Sequence, residues 1–118
     1  YRVIVAGGRH FNDYEKLSSN LGHLLKNMAL GDIEIVSGVA KGADHLGELY
    51  AENNNLSLTL FPADWDEYGK AAGHIRNAEM ADYATHLVAF WDGKSRGTEN
   101  MINVAKKKGL KVRVVMYD

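Results

Sequence analysis

The sequence predicts an α/β fold, a single doubly wound, Rossmann-like domain with a five-stranded parallel sheet and helices on both faces. Five short apolar, β-branched runs alternate with segments of helical periodicity, which is the pattern of repeated βαβ units. Three of these runs end at glycine, where a chain can turn sharply into a helix. The runs cover residues 2–8, 33–38, 56–63, 86–93 and 111–117.

One helix is expected after each of the first four strands. In the first, apolar residues recur at spacings of three and four, and Asn12 with Glu15 has the form of a capping box. These apolar residues are Tyr14, Leu17, Leu21, Leu24, Leu25 and Met28. The second helix is expected to begin near Ala43, with Leu46, Tyr50 and Ala51 facing the core.

The third and fourth helices precede and follow the fourth strand. The third is expected over about 72–84, with core contacts from Ile75, Ala78 and Ala81, while Arg76 shares another face with Met80. The fourth is expected from about Thr98. Its predicted core residues are Met101, Val104 and Ala105.

Length and composition narrow the class of protein. The 118 residues suit one domain over 1–118, and with 46% hydrophobic residues the chain can bury an ordinary core. Its 14 basic and 15 acidic residues give no basic footprint, so a nucleic-acid partner is not expected. No apolar run approaches the roughly 20 residues of a membrane span, which favours a cytoplasmic protein without membrane contact.

Metal and thiol chemistry are also disfavoured. The chain has no cysteine, which excludes disulfides, thiolate metal sites and cysteine nucleophiles. Its five histidines lack metal-ligand spacing. Neither a G-x-G-x-x-G loop nor a Walker A loop is present, so no NAD-type or ATP-type cofactor is expected.

Three glycine-bearing loops suggest a ligand. "GGRHF", "SGVAKGAD" and "WDGKSRGTEN" each follow a strand and lead into a helix, where unpaired N–H groups favour an anion. These loops predict a phosphate-bearing ligand, although simple turn chemistry remains the alternative. The candidate binding residues are Gly7, Gly8, Arg9, Ser37, Gly38, Gly42, Asp44, Gly97, Thr98 and Glu99.

Several side chains have two readings. Arg76, early in the third helix, needs an anionic partner, which could be a ligand phosphate or the carboxylate of Glu79, Asp66 or Asp82. Arg9 could bind phosphate or remain solvated, and Asp44 could bind a ligand hydroxyl or act as a first-turn acid. The aromatic side chains could stack on a base or pack at the rim of the core. They are Trp65, Tyr68 and Trp91.

Taken together, these segments resemble the YspA/YpsA-related branch of the SLOG superfamily, which groups the DNA-processing protein DprA with the Lonely Guy cytokinin-activating enzymes. "GGRHFND", "SGVAKGADHLGELYAE", "ADWDEYGKAAGHIRNAEMADYATHLVAFWDG" and "GTENMINVAKKKG" carry the resemblance. It implies strand order 3-2-1-4-5 and a nucleotide or nucleotide derivative bound over strands one and four, with Arg76 and Asn77 among its contacts. A homodimer would fit such relatives.

The resemblance also exposes a departure. Lonely Guy enzymes hydrolyse the N-glycosidic bond of nucleoside monophosphates, and "RNAEM" matches their Arg-x-x-x-Met helix, which places Arg76 at the catalytic arginine. Gly97 and Thr98 match their Gly-Thr loop, but the position of the catalytic Glu is Met101 here. Glu99 lies two positions earlier, about 200° away around a helix.

Three functions therefore remain. The first is a binding or sensor module for a nucleotide-derived ligand. The second is a phosphoribohydrolase that uses Arg76 and Glu99 as its catalytic pair. The third is DprA-like binding of single-stranded DNA, which the charge balance disfavours.

Overall fold

The computed structural model describes all residues from Tyr1 to Asp118, and strands and helices alternate along them. The strands are β1 (Arg2–Gly7), β2 (Glu34–Ser37), β3 (Ser57–Leu60), β4 (His86–Trp91) and β5 (Lys111–Met116). The helices are α1 (Tyr14–Leu24), α2 (Ala43–Asn53), the one-turn α3 (Trp65–Tyr68), α4 (Ala72–Tyr83) and α5 (Arg96–Lys107). Short 3₁₀ turns lie at Leu30–Asp32 and Gly69–Ala71.

The five strands form one parallel sheet in the order β3-β2-β1-β4-β5, which confirms the predicted fold class and strand order. Val3 pairs with Ile35 on one side of β1 and with His86 on the other. Because all strands run in the same direction, their carboxyl ends meet at one edge of the sheet. The order reverses between β1 and β4, and open α/β sheets bind their ligands at such a switch point.

The central strands β1, β2 and β4 are buried on both faces, as expected for a parallel sheet, while the edge strand β3 is largely exposed. Side chains alternate along β1, so Val3 and Val5 pack in one core cluster while Ile4 and Ala6 pack in the other. The first cluster holds the apolar faces of α1 and α2, and the second holds those of α4 and α5. No helix has the length and apolar character needed to cross a membrane.

Two local predictions are wrong. The cap of α1 is Asp13, whose Oδ1 accepts a 3.0 Å hydrogen bond from the Lys16 N–H; Asn12 does not cap it. In α4, Ile75 and Ala78 are only half-buried. The buried face of α4 consists of Ala72, Asn77, Met80 and Ala81. Because that face contains an asparagine, an apolar stripe alone does not identify it.

The other helix predictions are confirmed. In α1, Leu17 and Leu21 are fully buried, and in α2, Tyr50 and Ala51 are buried. In α5, Met101 and Ala105 are buried while Val104 packs against their cluster. The same spacing rule therefore identifies three of the long helices correctly.

Candidate functional site

A cleft of about 1020 Å³ lies at the carboxyl edge of the sheet, and we call it the strand-end cleft. Its walls come from the loops after β1 to β4, the start of α4 and α5, and the residues after β5. This volume is at the upper end of the range for small-molecule sites. The predicted candidates that line it are Gly7, Gly8, Arg9, Gly38, Asp44, Arg76, Asn77, Gly97 and Thr98.

Three predicted candidates do not line the strand-end cleft. Ser37 is fully buried below it, where its Oγ donates to Glu48 Oε2 at 2.7 Å and accepts from the Val39 N–H at 3.1 Å. Gly42 serves as the cap of α2 and packs on the loop after β1. Glu99 is exposed on α5, on the side opposite the buried Met101, as the 200° rotation requires.

Arg76 is held firmly by its neighbours. Its Nε–H donates to Asn77 Oδ1 at 3.0 Å, and its Nη1 donates to the carbonyl oxygen of Gly38. Asn77 in turn donates from Nδ2 to Asn100 Oδ1 at 2.9 Å. The amide of Asn77 is therefore committed to the protein, and it orients the guanidinium that Arg76 presents to the strand-end cleft.

The guanidinium of Arg76 forms no ion pair. The chain's one ion pair joins Lys108 Nζ to Asp82 Oδ1 at 2.6 Å, so the expected carboxylate partners of Arg76 do not contact it. Burial lowers the pKa of Arg76, the negative charge of Asp44 raises it, and the positive charge of Arg9 lowers it again. A half-buried cation without a contacting carboxylate favours an external anion.

Asp44 is the buried acid of the strand-end cleft. It is 4% exposed, and its Oδ2 accepts a 3.3 Å hydrogen bond from the Ala40 N–H. Burial raises the pKa of Asp44 to about 6, which hydrogen bonding from Ala40 and the charge of Arg76 partly oppose. A Cβ at Gly38 would lie 2.8 Å from both Arg76 Nη1 and Asp44 Oδ2, so glycine is needed for their close approach.

The predicted backbone donors are only partly free. The Gly8 N–H donates to the Phe90 carbonyl at 3.1 Å, and the Thr98 N–H points to its capping partner Ser95 Oγ at 3.5 Å. At the start of α5, the N–H groups of Arg96 and Gly97 have no acceptor within the protein. The loop after β1 and the loop before α5 therefore differ, because only the loop before α5 keeps the free amides that an anion needs.

The lining of the strand-end cleft is cationic, although the whole chain has a net charge of −1. Sequence reasoning missed three of its lysines and Tyr117, even though all lie in or beside the segments that follow strands. The basic lining residues are Arg9, Lys41, Lys70, Arg76 and Lys94, and the acidic ones are Asp44, Asp92 and Asp118. No group of three or more His, Asp or Glu side chains is arranged to hold a metal ion.

Val39 adds local strain to the same wall. It is a β-branched residue with a φ of 63°, in the left-handed region that such residues rarely adopt. Its N–H donates a 3.1 Å hydrogen bond to Ser37 Oγ, which stabilises this conformation. Residues held in this way cluster at ligand-binding and switch regions.

Comparison with known proteins assigns the chain to a family. A family model described as the YspA, cpYpsA-related SLOG family matches residues 1–68. The gene 61 protein of Mycobacterium phage D29 is 33% identical over 117 residues, covering 94% of this chain and 93% of the phage protein. No solved structure matches. The chain belongs to the YspA, cpYpsA-related SLOG family.

Proposed function

We propose that the protein binds a nucleotide or a nucleotide-derived phosphate ligand in the strand-end cleft, as a sensor or binding module. Membership of the SLOG family supports a nucleotide-related binding or processing role. The observation that carries the proposal is Arg76, a guanidinium that is fixed by Asn77 and Gly38 and has no carboxylate within ion-pair distance.

Each part of the proposed site has a chemical role. Arg76 and Arg9 bind phosphate, and the free N–H of Gly97 adds a neutral donor to the same anion. Asp44 accepts a hydrogen bond from a ligand hydroxyl, such as that of a ribose. Glycine is needed at Gly7, Gly8 and Gly38 because a Cβ there would collide with Phe90, with Tyr117, and with Arg76 and Asp44, respectively.

The proposal is tested with AMP and its variants by thermal melting. Bound AMP stabilises the native protein by about 2.7 kcal/mol at 100 times its Kd. We expect Arg76→Ala to weaken AMP binding by roughly 10- to 100-fold, the typical loss for a charged hydrogen bond. Arg113→Ala removes an exposed arginine of β5 and is the matched control. Equal AMP binding by both variants would show that AMP does not bind at Arg76 in the strand-end cleft.

A phosphoribohydrolase is the second candidate, and Asp44 is the observation that favours it. Hydrolysis needs a carboxyl group in the cleft, and a raised pKa of about 6 suits an acid–base catalyst. Glu99 lies outside the cleft, so Asp44 replaces it as the residue to test. Release of adenine from AMP that Asp44→Asn abolishes and Glu99→Gln preserves would establish this reaction and displace the pure binding module.

A further inference from the structure

Trp65 is an exposed tryptophan on the wall of the strand-end cleft. Its side chain is 54% exposed at the start of α3, and its indole N–H has no partner within the protein. Trp91, the other tryptophan, is half-buried and donates from Nε1 to the Ser95 carbonyl at 3.0 Å. Tryptophan is usually well buried, so an open indole on a cleft wall is an available stacking surface.

The turn that carries Trp65 is well fixed. Asp64 Oδ1 accepts from the Glu67 N–H at 3.0 Å, and the Tyr68 N–H donates to the Asp64 carbonyl at 3.0 Å. Gly69 then reverses the chain with a φ of 54°. The indole is therefore presented by a capped turn, which reduces the entropy lost when a ligand stacks on it.

Trp65 and Arg76 lie on the same stretch of wall. A Cβ at Gly73 would be 3.6 Å from Trp65 Cη2 and 3.9 Å from Arg76 Nη2, so these two atoms are at most about 7.5 Å apart. That separation allows one ligand to place an aromatic ring on the indole and an anion on the guanidinium. In a mononucleotide, a single sugar separates the base from the phosphate.

We infer that Trp65 is the base-binding surface of the strand-end cleft. Stacking on Trp65 makes the cleft bind nucleotides more tightly than sugar phosphates or free phosphate. This inference rests on the proposed function, because it takes the phosphate end of the ligand to be bound at Arg76. It assigns specificity to Trp65 and anion affinity to Arg76, which are separable by mutation. Lys70 and His74 also line the strand-end cleft, so polar side chains are present for the edge of a base.

The test compares AMP with ribose 5-phosphate on the native protein and on Trp65→Leu. Stacking on an aromatic side chain is worth about 1–3 kcal/mol per base, so we expect Trp65→Leu to weaken AMP binding by roughly 5- to 150-fold. Ribose 5-phosphate, which has no base, should bind both proteins equally. AMP should also quench the tryptophan fluorescence of the native protein but not that of Trp65→Leu, whose remaining indole is Trp91.

Two further variants complete the design. Tyr68→Leu removes another exposed aromatic side chain from the same turn, outside the cleft, and should leave AMP binding unchanged. Trp65→Phe keeps an aromatic face and should retain most of the AMP affinity. The inference is overturned if Trp65→Leu binds AMP as the native protein does, or loses ribose 5-phosphate equally. If Arg76→Ala leaves the binding of both probes intact, or neither probe binds, the proposed function itself fails.

Discussion

Asp44 shows how one residue couples the strand-end cleft to folding. Its carboxyl is buried beside the Arg76 guanidinium, yet burial outweighs that attraction and raises its pKa from 3.8 to about 6. The folded state therefore binds a proton more readily than the unfolded chain. The resulting stabilisation of the folded state is fully present below the unfolded pKa of 3.8 and is lost as the pH rises through the folded pKa of about 6. Its full size is about 3 kcal/mol.

Replacement of Asp44 should make this dependence visible. Asn is neutral at every pH, so the unfolding free energy of Asp44→Asn relative to the native protein should rise by up to about 3 kcal/mol between about pH 4 and about pH 7.5. Urea titrations across that range measure the difference. Glu99→Gln, at an exposed carboxylate, controls for the loss of one negative charge. A difference that stays constant with pH would show that Asp44 ionises as freely in the folded protein as in the unfolded chain.

Single residues of the site could be predicted only where their chemistry is local. An arginine in the first half of a helix needs an anion, and that argument singled out Arg76 with either a ligand phosphate or a neighbouring carboxylate as its partner. The family resemblance then favoured the ligand. The roles of Gly8 and Asn77 could not be found in this way, because their partners Phe90 and Asn100 are distant in the chain. Which amides remain free depends on tertiary pairing, and no local motif encodes it.

At the scale of elements, glycine sets how closely the loops of the strand-end cleft approach one another. Gly42 caps α2 with a φ of 78°, and a Cβ there would collide with the Gly8 carbonyl oxygen and lie 2.7 Å from the Arg9 carbonyl carbon. The Gly8 carbonyl also accepts from the Ala43 N–H at 3.2 Å. The loop after β1 is thereby tied to the start of α2, and the strand-end cleft depends on that junction.

Gly42→Ala should therefore destabilise the protein by about 2–4 kcal/mol, from the left-handed backbone and the steric overlap together. Gly22→Ala is the matched control, because Gly22 lies exposed within α1 with no atom near its missing Cβ. It should stabilise the protein by roughly 0.5–1 kcal/mol, since alanine favours the helix. Chemical denaturation measures both, and a tolerated alanine at Gly42 would contradict the described packing of these loops.

The buried face of a helix could be predicted where apolar spacing alone defines it. The stripes of α1, α2 and α5 place leucine, tyrosine and methionine in the core as the periodicity indicates. The core face of α4 includes Asn77, whose burial is compensated by hydrogen bonds to side chains and carbonyls of neighbouring residues. A hydrophobic pattern does not detect a buried polar residue, and for this reason the predicted core face of α4 is wrong at Ile75 and Ala78.

Across the whole molecule, charge is distributed unevenly. The chain has 14 basic and 15 acidic residues, yet basic side chains outnumber acidic ones around the strand-end cleft. This local field attracts a small anion without making the protein a general polyanion binder. Binding of single-stranded DNA would require neutralisation of many phosphates in succession, along a basic track that extends beyond one cleft.

The expected consequence concerns how affinity depends on ligand length. Single-stranded binders show a slope of log K against log salt of about −0.7 for each phosphate neutralised. With contacts confined to Arg76 and Arg9, we expect thymidine oligonucleotides to bind no more tightly as they lengthen, with a slope near that of one or two phosphates. Fluorescence anisotropy of labelled oligonucleotides at several salt concentrations measures both quantities, with AMP competition as the control. Affinity that rises with each added nucleotide, together with a steep slope, would instead favour a DprA-like DNA-binding surface that extends beyond the cleft.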